Sequence, residues 1–103
     1  MKIVVKKVGQ IGQVVEVENT LETYQSIVGG YIETCPLAKD ILIVCNEEGE
    51  SMDLELNIAI HRKVDDRFEM INGDCAIVKC GEDDFEGLED EHLEFLRNLK
   101  LID

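Results

Sequence analysis

The chain has 103 residues, 45% of them hydrophobic and 5% aromatic with no Trp, and 23 acids against 10 bases give a formal net charge of −13. An aliphatic content of that size excludes a disordered acidic chain, and the acid surplus excludes partners held through phosphate backbones or anionic lipid while favouring basic ones. The length predicts one domain, 1–103. No stretch is long enough to span a bilayer, and the charges inside the apolar start Met1–Lys7 predict no signal peptide, hence a cytoplasmic protein.

Val- and Ile-rich runs at 2–8 and 11–18, punctuated by Gly9-Gln10 and Gly12, predict a β-hairpin. Val15 and Val17 alternate with Glu16 and Glu18, so one face of the second strand should be wet. Asn19 is expected to cap a short helix, with Glu22 reaching back to it. Leu21, Tyr24 (or Gln25) and Val28 form its apolar stripe, and Gly29-Gly30 ends it. Tyr31–Cys35 reads as a strand stopped by Pro36. Ile41–Cys45 is a continuous apolar run, the pattern of a central strand buried on both faces. The short connection Leu37–Asp40 predicts that these two strands pair antiparallel. Asn46–Glu50 is a turn.

From Met52 to His61 apolar and polar residues alternate, which favours a strand over a loop with a helical turn. Val64–Met70 is expected to be a short helix or loop. Asn72-Gly73 signals a turn, and Asp74–Cys80 is expected to be the last strand. Leu93, Leu96 and Leu99, with Phe95 and Ile102, make the stripe of a final helix. Its acids gather at the N-terminal end and Arg97 and Lys100 near the C-terminal end, as the helix dipole favours. These elements predict an α+β fold: an antiparallel sheet of four to six strands with two helices packed on one face.

The candidate chemistry is sparse. Cys35, Cys45, Cys75 and Cys80 form no Cys-x-x-Cys pair, so a zinc site is not expected, and reduced, buried thiols are. An odd separation on one strand puts Cys75 and Cys80 on opposite faces. Glu47 and Glu48 are adjacent, and neighbours in an extended segment diverge, so they do not form a catalytic pair. Gly29-Gly30 follows a helix, whereas a phosphate loop precedes one. His61 and His92 have no readable nucleophile partner and are expected at the surface.

The order of motifs resembles a known family. Gly29-Gly30-Tyr31-Ile32-Glu33 follows a short capped helix, and Asn46-Glu47-Glu48-Gly49 follows an apolar strand. Asn57 and Ile71-Asn72-Gly73-Asp74 come next, and Gly81-Glu82-Asp83-Asp84-Phe85 with Leu88 opens the last helix. From about Asn19 to Leu96 this order is similar to that of the domain of unknown function numbered 3846, found in phages and mobile genetic elements of bacteria. Around Asn57 that family is usually prolyl and basic, and its last helix often opens with Thr or Ser; here the first segment is acidic and aliphatic, and Glu89 stands in the second place. The resemblance implies a phage or mobile-element setting and no particular activity.

The functional expectation is a binding protein without catalysis, cofactor or metal, which occupies a host protein and makes no direct contact with nucleic acid or membrane. Its partner face would be Glu82, Asp83, Asp84, Glu86, Asp90, Glu91 and Glu94. Tyr31, Asn46, Glu47, Glu48 and Asn57 are further candidates for ligand contact. The alternative is a sponge for a nucleotide signal of host defence. That reading needs a basic site from Arg62, Lys63 and Arg67, with Lys2, Lys6 and Lys7, and a homo-oligomer could build it.

Overall fold

The computed structural model describes residues 1–62 and 65–103. Strands β1 (Lys2–Lys6) and β2 (Gln13–Glu16) pair antiparallel with Ile3 opposite Val15, the expected first hairpin. Helix α1 (Leu21–Val28) leads to β3 (Ile32–Ala38) and β4 (Ile41–Asn46), the expected second hairpin. Strands β5 (Leu56–Arg62) and β6 (Arg67–Asn72) form a separate two-stranded sheet. Then come β7 (Cys75–Cys80), the two-residue β8 (Phe85–Glu86) and α2 (Asp90–Asn98). The main sheet has six strands in the order β2-β1-β7-β4-β3, with β8 on β7, and every pairing is antiparallel. The fold is α+β.

Strand β7 lies at the centre. On one edge β4 runs from Ile41 opposite Lys79 to Val44 opposite Ala76. On the other edge β1 covers the first half and β8 the second. Successive side chains point to opposite faces. Ile77, Val4 and Ile43 belong to one core cluster, and Ala76, Val78, Ile3 and Val44 to another. The first cluster takes in Leu93 and Leu96 of α2 with Ile58 and Ile71 of the β5–β6 hairpin; the second takes in Tyr24 of α1. The helices therefore lie on opposite faces of the sheet and not on a shared one. A sheet whose inner strands are apolar on both sides needs a cover for each.

Local signals were overridden in several places. Thr20, not Asn19, caps α1, accepting the Thr23 N–H at 3.2 Å. Asn19 instead accepts the Tyr24 hydroxyl at 2.7 Å and donates to the Phe85 carbonyl at 3.1 Å, stapling α1 to β8. Tyr24 meets Phe85 edge to face, with ring centroids 5.2 Å apart. Leu21, expected on the buried stripe, is exposed, and Tyr24 and Val28 carry the packing. Strand β3 does not stop at Pro36 but runs on to Ala38 through a bulge. It is an edge strand, where a missing N–H is tolerated. Arg67–Met70 belongs to β6 and is neither helix nor loop, because the ladder to β5 buries Ile71 beside Ile58; Val64 lies outside the described residues. The alternating segment becomes a strand only from Leu56, after turns at Met52 and Asp53. Strand β7 is followed by β8, so it is not the last.

Ile43 has no exposed surface and packs on Ile77 and Cys35 in the first core. Ile43→Asp should cost several kcal/mol by burying an unpaired carboxylate, enough to unfold a domain of ordinary stability. Circular dichroism should show a chain without a cooperative melt. A melting temperature within a few degrees of the parent would contradict the placement of β4.

Candidate functional site

The sheet has two ends, and the polar residues divide between them. At one end β4 finishes, β3 and β7 begin, and β1 finishes. Helix α1 terminates there on Gly29, which takes a left-handed φ of 79° suited to glycine. A Cβ on the next residue, Gly30, would stand 2.9 Å from Asn46 Nδ2. That closeness lets the Asn46 amide donate to the last helical carbonyl, that of Val28, at 3.1 Å. Asn46 Oδ1 accepts the Glu48 N–H at 2.8 Å, and the Glu47 N–H donates to the Tyr31 carbonyl at 2.8 Å. Asn46 is thus buried, a clamp between helix and turn with no group left facing a ligand. Tyr31, 68% exposed, and the side chains of Glu47 and Glu48 stand open around it.

Asn57 serves a similar purpose nearby. Its Nδ2 donates to the Lys6 carbonyl at 2.8 Å and the Gly73 carbonyl at 2.9 Å, and its Oδ1 accepts the Lys6 ammonium at 2.8 Å. Lys6 is only 9% exposed. A buried ammonium needs such a partner, and the pair fastens the β5–β6 hairpin to β1. Lys6 is therefore no part of an open basic site. Of the other expected members, Lys7 and Arg67 are exposed and Lys2 is half-buried; Lys63 and the side chain of Arg62 lie outside the described residues.

At the opposite end the acids converge on Lys79. Its ammonium lies 3.5 Å from Glu86 of β8 and 3.7 Å from Glu89 at the start of α2. The charge of Glu89, foremost, holds its pKa above the ordinary lysine range. Asp40, in the β3–β4 turn, accepts His92 Nε2 at 2.9 Å, while His92 Nδ1 accepts the Glu89 N–H at 2.9 Å. An acceptor Nδ1 leaves the proton on Nε2, so the ring is the neutral tautomer donating to Asp40. His92 is consequently buried, 3% exposed, and not the surface residue expected from the sequence. It also completes a capping box at the start of α2: the His92 ring accepts the Glu89 N–H, the part an N3 Glu or Gln usually plays, while the Glu89 side chain accepts the His92 N–H in place of a Thr or Ser. Glu89, Glu91 and His92 bring ligand atoms within 4.8 Å of one another, but both ring nitrogens are already engaged, which leaves only exposed carboxylates.

All seven acids of the expected partner face, Glu82, Asp83, Asp84, Glu86, Asp90, Glu91 and Glu94, are exposed. The cysteines offer no activated nucleophile in the core. Burial pushes the Cys45 and Cys75 thiols up to about 12, so both keep their protons at neutral pH. Cys35 is buried with them, and Cys80 is exposed. His61 lies at the surface, 2.7 Å from Asp66. Among the described residues, every buried side-chain nitrogen and oxygen has a hydrogen-bond partner. Among them, too, no helix is long and apolar enough to cross a membrane.

A family model described as Domain of unknown function (DUF3846) matches residues 1–100. The chain belongs to the DUF3846 family. No curated protein and no solved structure matches it. In this DUF3846 protein the motifs that carry the resemblance meet in space: Gly30 touches Asn46, Gly49 approaches the Asn72 carbonyl, and Gly73 accepts from Asn57. Most of them set backbone geometry. The sequence signal that could have revealed this is the pairing of glycines with asparagines, small residues beside short amides that bridge to main chain.

Two outcomes follow for the DUF3846 chain. Asn57→Ala leaves the buried Lys6 ammonium only the Lys7 carbonyl at 3.4 Å, and a buried charge losing its best partner costs roughly 1–3 kcal/mol. Urea unfolding should show that loss, and hydrogen exchange should show β5–β6 losing protection first. The hydrogen bond from His92 holds the Asp40 carboxyl below the usual carboxylate range. A depressed carboxylate stabilises the fold above its unfolded pKa, about 3.9, and that contribution disappears as pH falls through the lower, folded value. Asp40→Ala should therefore be less stable than the parent at pH 7, with the gap closing as pH falls below the unfolded carboxylate value of about 3.9 in a urea series. A gap that stayed constant with pH would disprove the Asp40–His92 linkage.

Proposed function

We propose that this protein is a non-catalytic binding protein of a phage or mobile element, which occupies a basic surface of a host protein with the face around Glu82–Glu94. The observation that carries the reading is the distribution of charge about Lys79. Glu86 of β8 and Glu89 at the start of α2 flank its ammonium at 3.5 and 3.7 Å, and the carboxylates of the loop before β8 and of the first turns of α2 are exposed. Glu86 stands on β8 and Asp90, Glu91 and Glu94 on α2, so these four need little ordering when a partner arrives; Glu82, Asp83 and Asp84 lie in the loop before β8. A face of this kind steers association and discriminates by sign of charge. The location would be the cytoplasm of the bacterial host. A nucleotide sponge gains less support, because Lys6 is committed to Asn57.

The test is charge reversal. Changing Asp83, Asp84, Asp90 and Glu91 to Lys should leave the fold intact, since exposed substitutions usually cost within about 0.5 kcal/mol each. Capture of the host protein should weaken mainly through slower association, and parent binding should fall with salt over a screening length of about 8 Å at physiological ionic strength. Surface plasmon resonance against the captured partner reads both. Unchanged association rates would refute the acidic face. Loss of function on changing Arg67, with the acidic variant unaffected, would favour the sponge.

A further inference from the structure

His92 occupies the N3 position of α2, where an ordinary capping box has Glu or Gln. Those side chains accept through oxygen, whereas His92 accepts the Glu89 N–H through Nδ1, at 2.9 Å. A ring nitrogen can accept only while it carries no proton. The other nitrogen, Nε2, already donates to Asp40 at 2.9 Å. A second proton on the ring can therefore go only to Nδ1, where it meets the Glu89 N–H head on. Two donors cannot share one hydrogen bond, so the cap has to open.

The surroundings can hold the charged ring. His92 is almost fully buried, yet it lines a cleft of about 440 Å³ with Lys39, Asp40, Glu91 and Phe95, which gives solvent protons a way to the ring. An oxygen of Glu89, an oxygen of Glu91 and a ring nitrogen of His92 lie within 4.8 Å of one another. Asp40 faces the ring from the β3–β4 turn, and Glu89 and Glu91 face it from α2 itself. Two cations oppose them: Lys39 beside Asp40, and Lys79 of β7, which Glu86 of β8 and Glu89 already flank. The carboxylates outnumber the ammoniums, so an imidazolium here would pair with Asp40 through Nε2 and find a new acceptor for Nδ1–H.

We infer that His92 is a proton switch in the acidic face. Neutral, it caps α2; protonated at Nδ1, it releases the Glu89 N–H and turns that nitrogen to a carboxylate of Glu89 or Glu91. The proton comes from solvent and stays on the ring. It adds one positive charge among the acids and loosens the turn that carries Asp90 and Glu91. A basic partner would then be held less tightly in mild acid. That consequence rests on the acidic-face reading, whereas the switch itself does not.

NMR on the isotope-labelled full chain, between about pH 8 and pH 5 where histidine ordinarily titrates, reads the switch with no partner present. Failure of the switch and failure of the acidic face are thus separate results. The His92 ring nitrogens should show the Nε2–H tautomer at the upper end and a protonated ring at the lower. The exchange protection factor of the Glu89 amide should fall at least about fivefold, as the loss of a cap would give, with the same midpoint as the ring. His92→Gln keeps an acceptor at N3 and cannot titrate, so its Glu89 amide should stay protected throughout. His61, at the surface beside Asp66, is the internal control, and its titration should leave the Glu89 amide unmoved. If His92→Gln does not fold, the matched midpoints of the parent decide. A His92 ring that stays neutral to the lower end overturns the switch. So does a ring that titrates while the Glu89 amide keeps its protection, or a loss of protection that persists in His92→Gln.

Discussion

Strand β7 has no free side. Its edges are hydrogen-bonded to β4 and to β1 and β8, and its side chains enter both cores. A strand so enclosed must be apolar on both faces, and Cys75 to Val78 has no exposed side chain. Each face then has to be sealed. Helix α1 seals one; α2 and the β5–β6 hairpin share the other. Lys79 is the point where β7 emerges from the core into solvent, and the acids gather around it.

The two ends of the sheet are stabilised by different chemistry. At the Asn46 end, neutral amides satisfy backbone carbonyls: Asn46 holds the terminus of α1, and Asn57 holds β1 and the entry to β7. Such paired amides at the edge of the core specify one arrangement more than they add stability. At the Lys79 end the groups are ionic and closer to water, where each pair adds little to stability and leaves most of the negative potential unneutralised. One end sets structure, and the other presents charge.

Much of the secondary structure was legible in the sequence because its signals are local. The Val-Ile runs of β1, β4 and β7, the Gly29 cap and the Leu93–Leu96 stripe depend on periodicity and glycine chemistry within a few residues. So was membership of a family, through the order of short motifs. What failed were readings that depend on distant partners. Asn19 reads as a cap until Tyr24 and Phe85 claim its side chain, and His92 reads as a surface residue until Asp40, 52 positions away, accepts a hydrogen bond from its Nε2–H. The same is true of Pro36, acceptable because β3 is an edge, and of Arg67–Met70, a strand because β5 lies beside it. The candidate site divided in the same way. The sequence by itself determined that the chain is acidic and that the carboxylates of Glu82–Glu94 are solvated, since eight acids with no interleaved Lys or Arg cannot be buried together. Only the tertiary structure decided that the helices take opposite faces, that Asn46 and Asn57 are internal clamps and that Lys6 is enclosed. Those outcomes follow from which long-range contacts satisfy each polar group, a property of the whole packing that no local window contains.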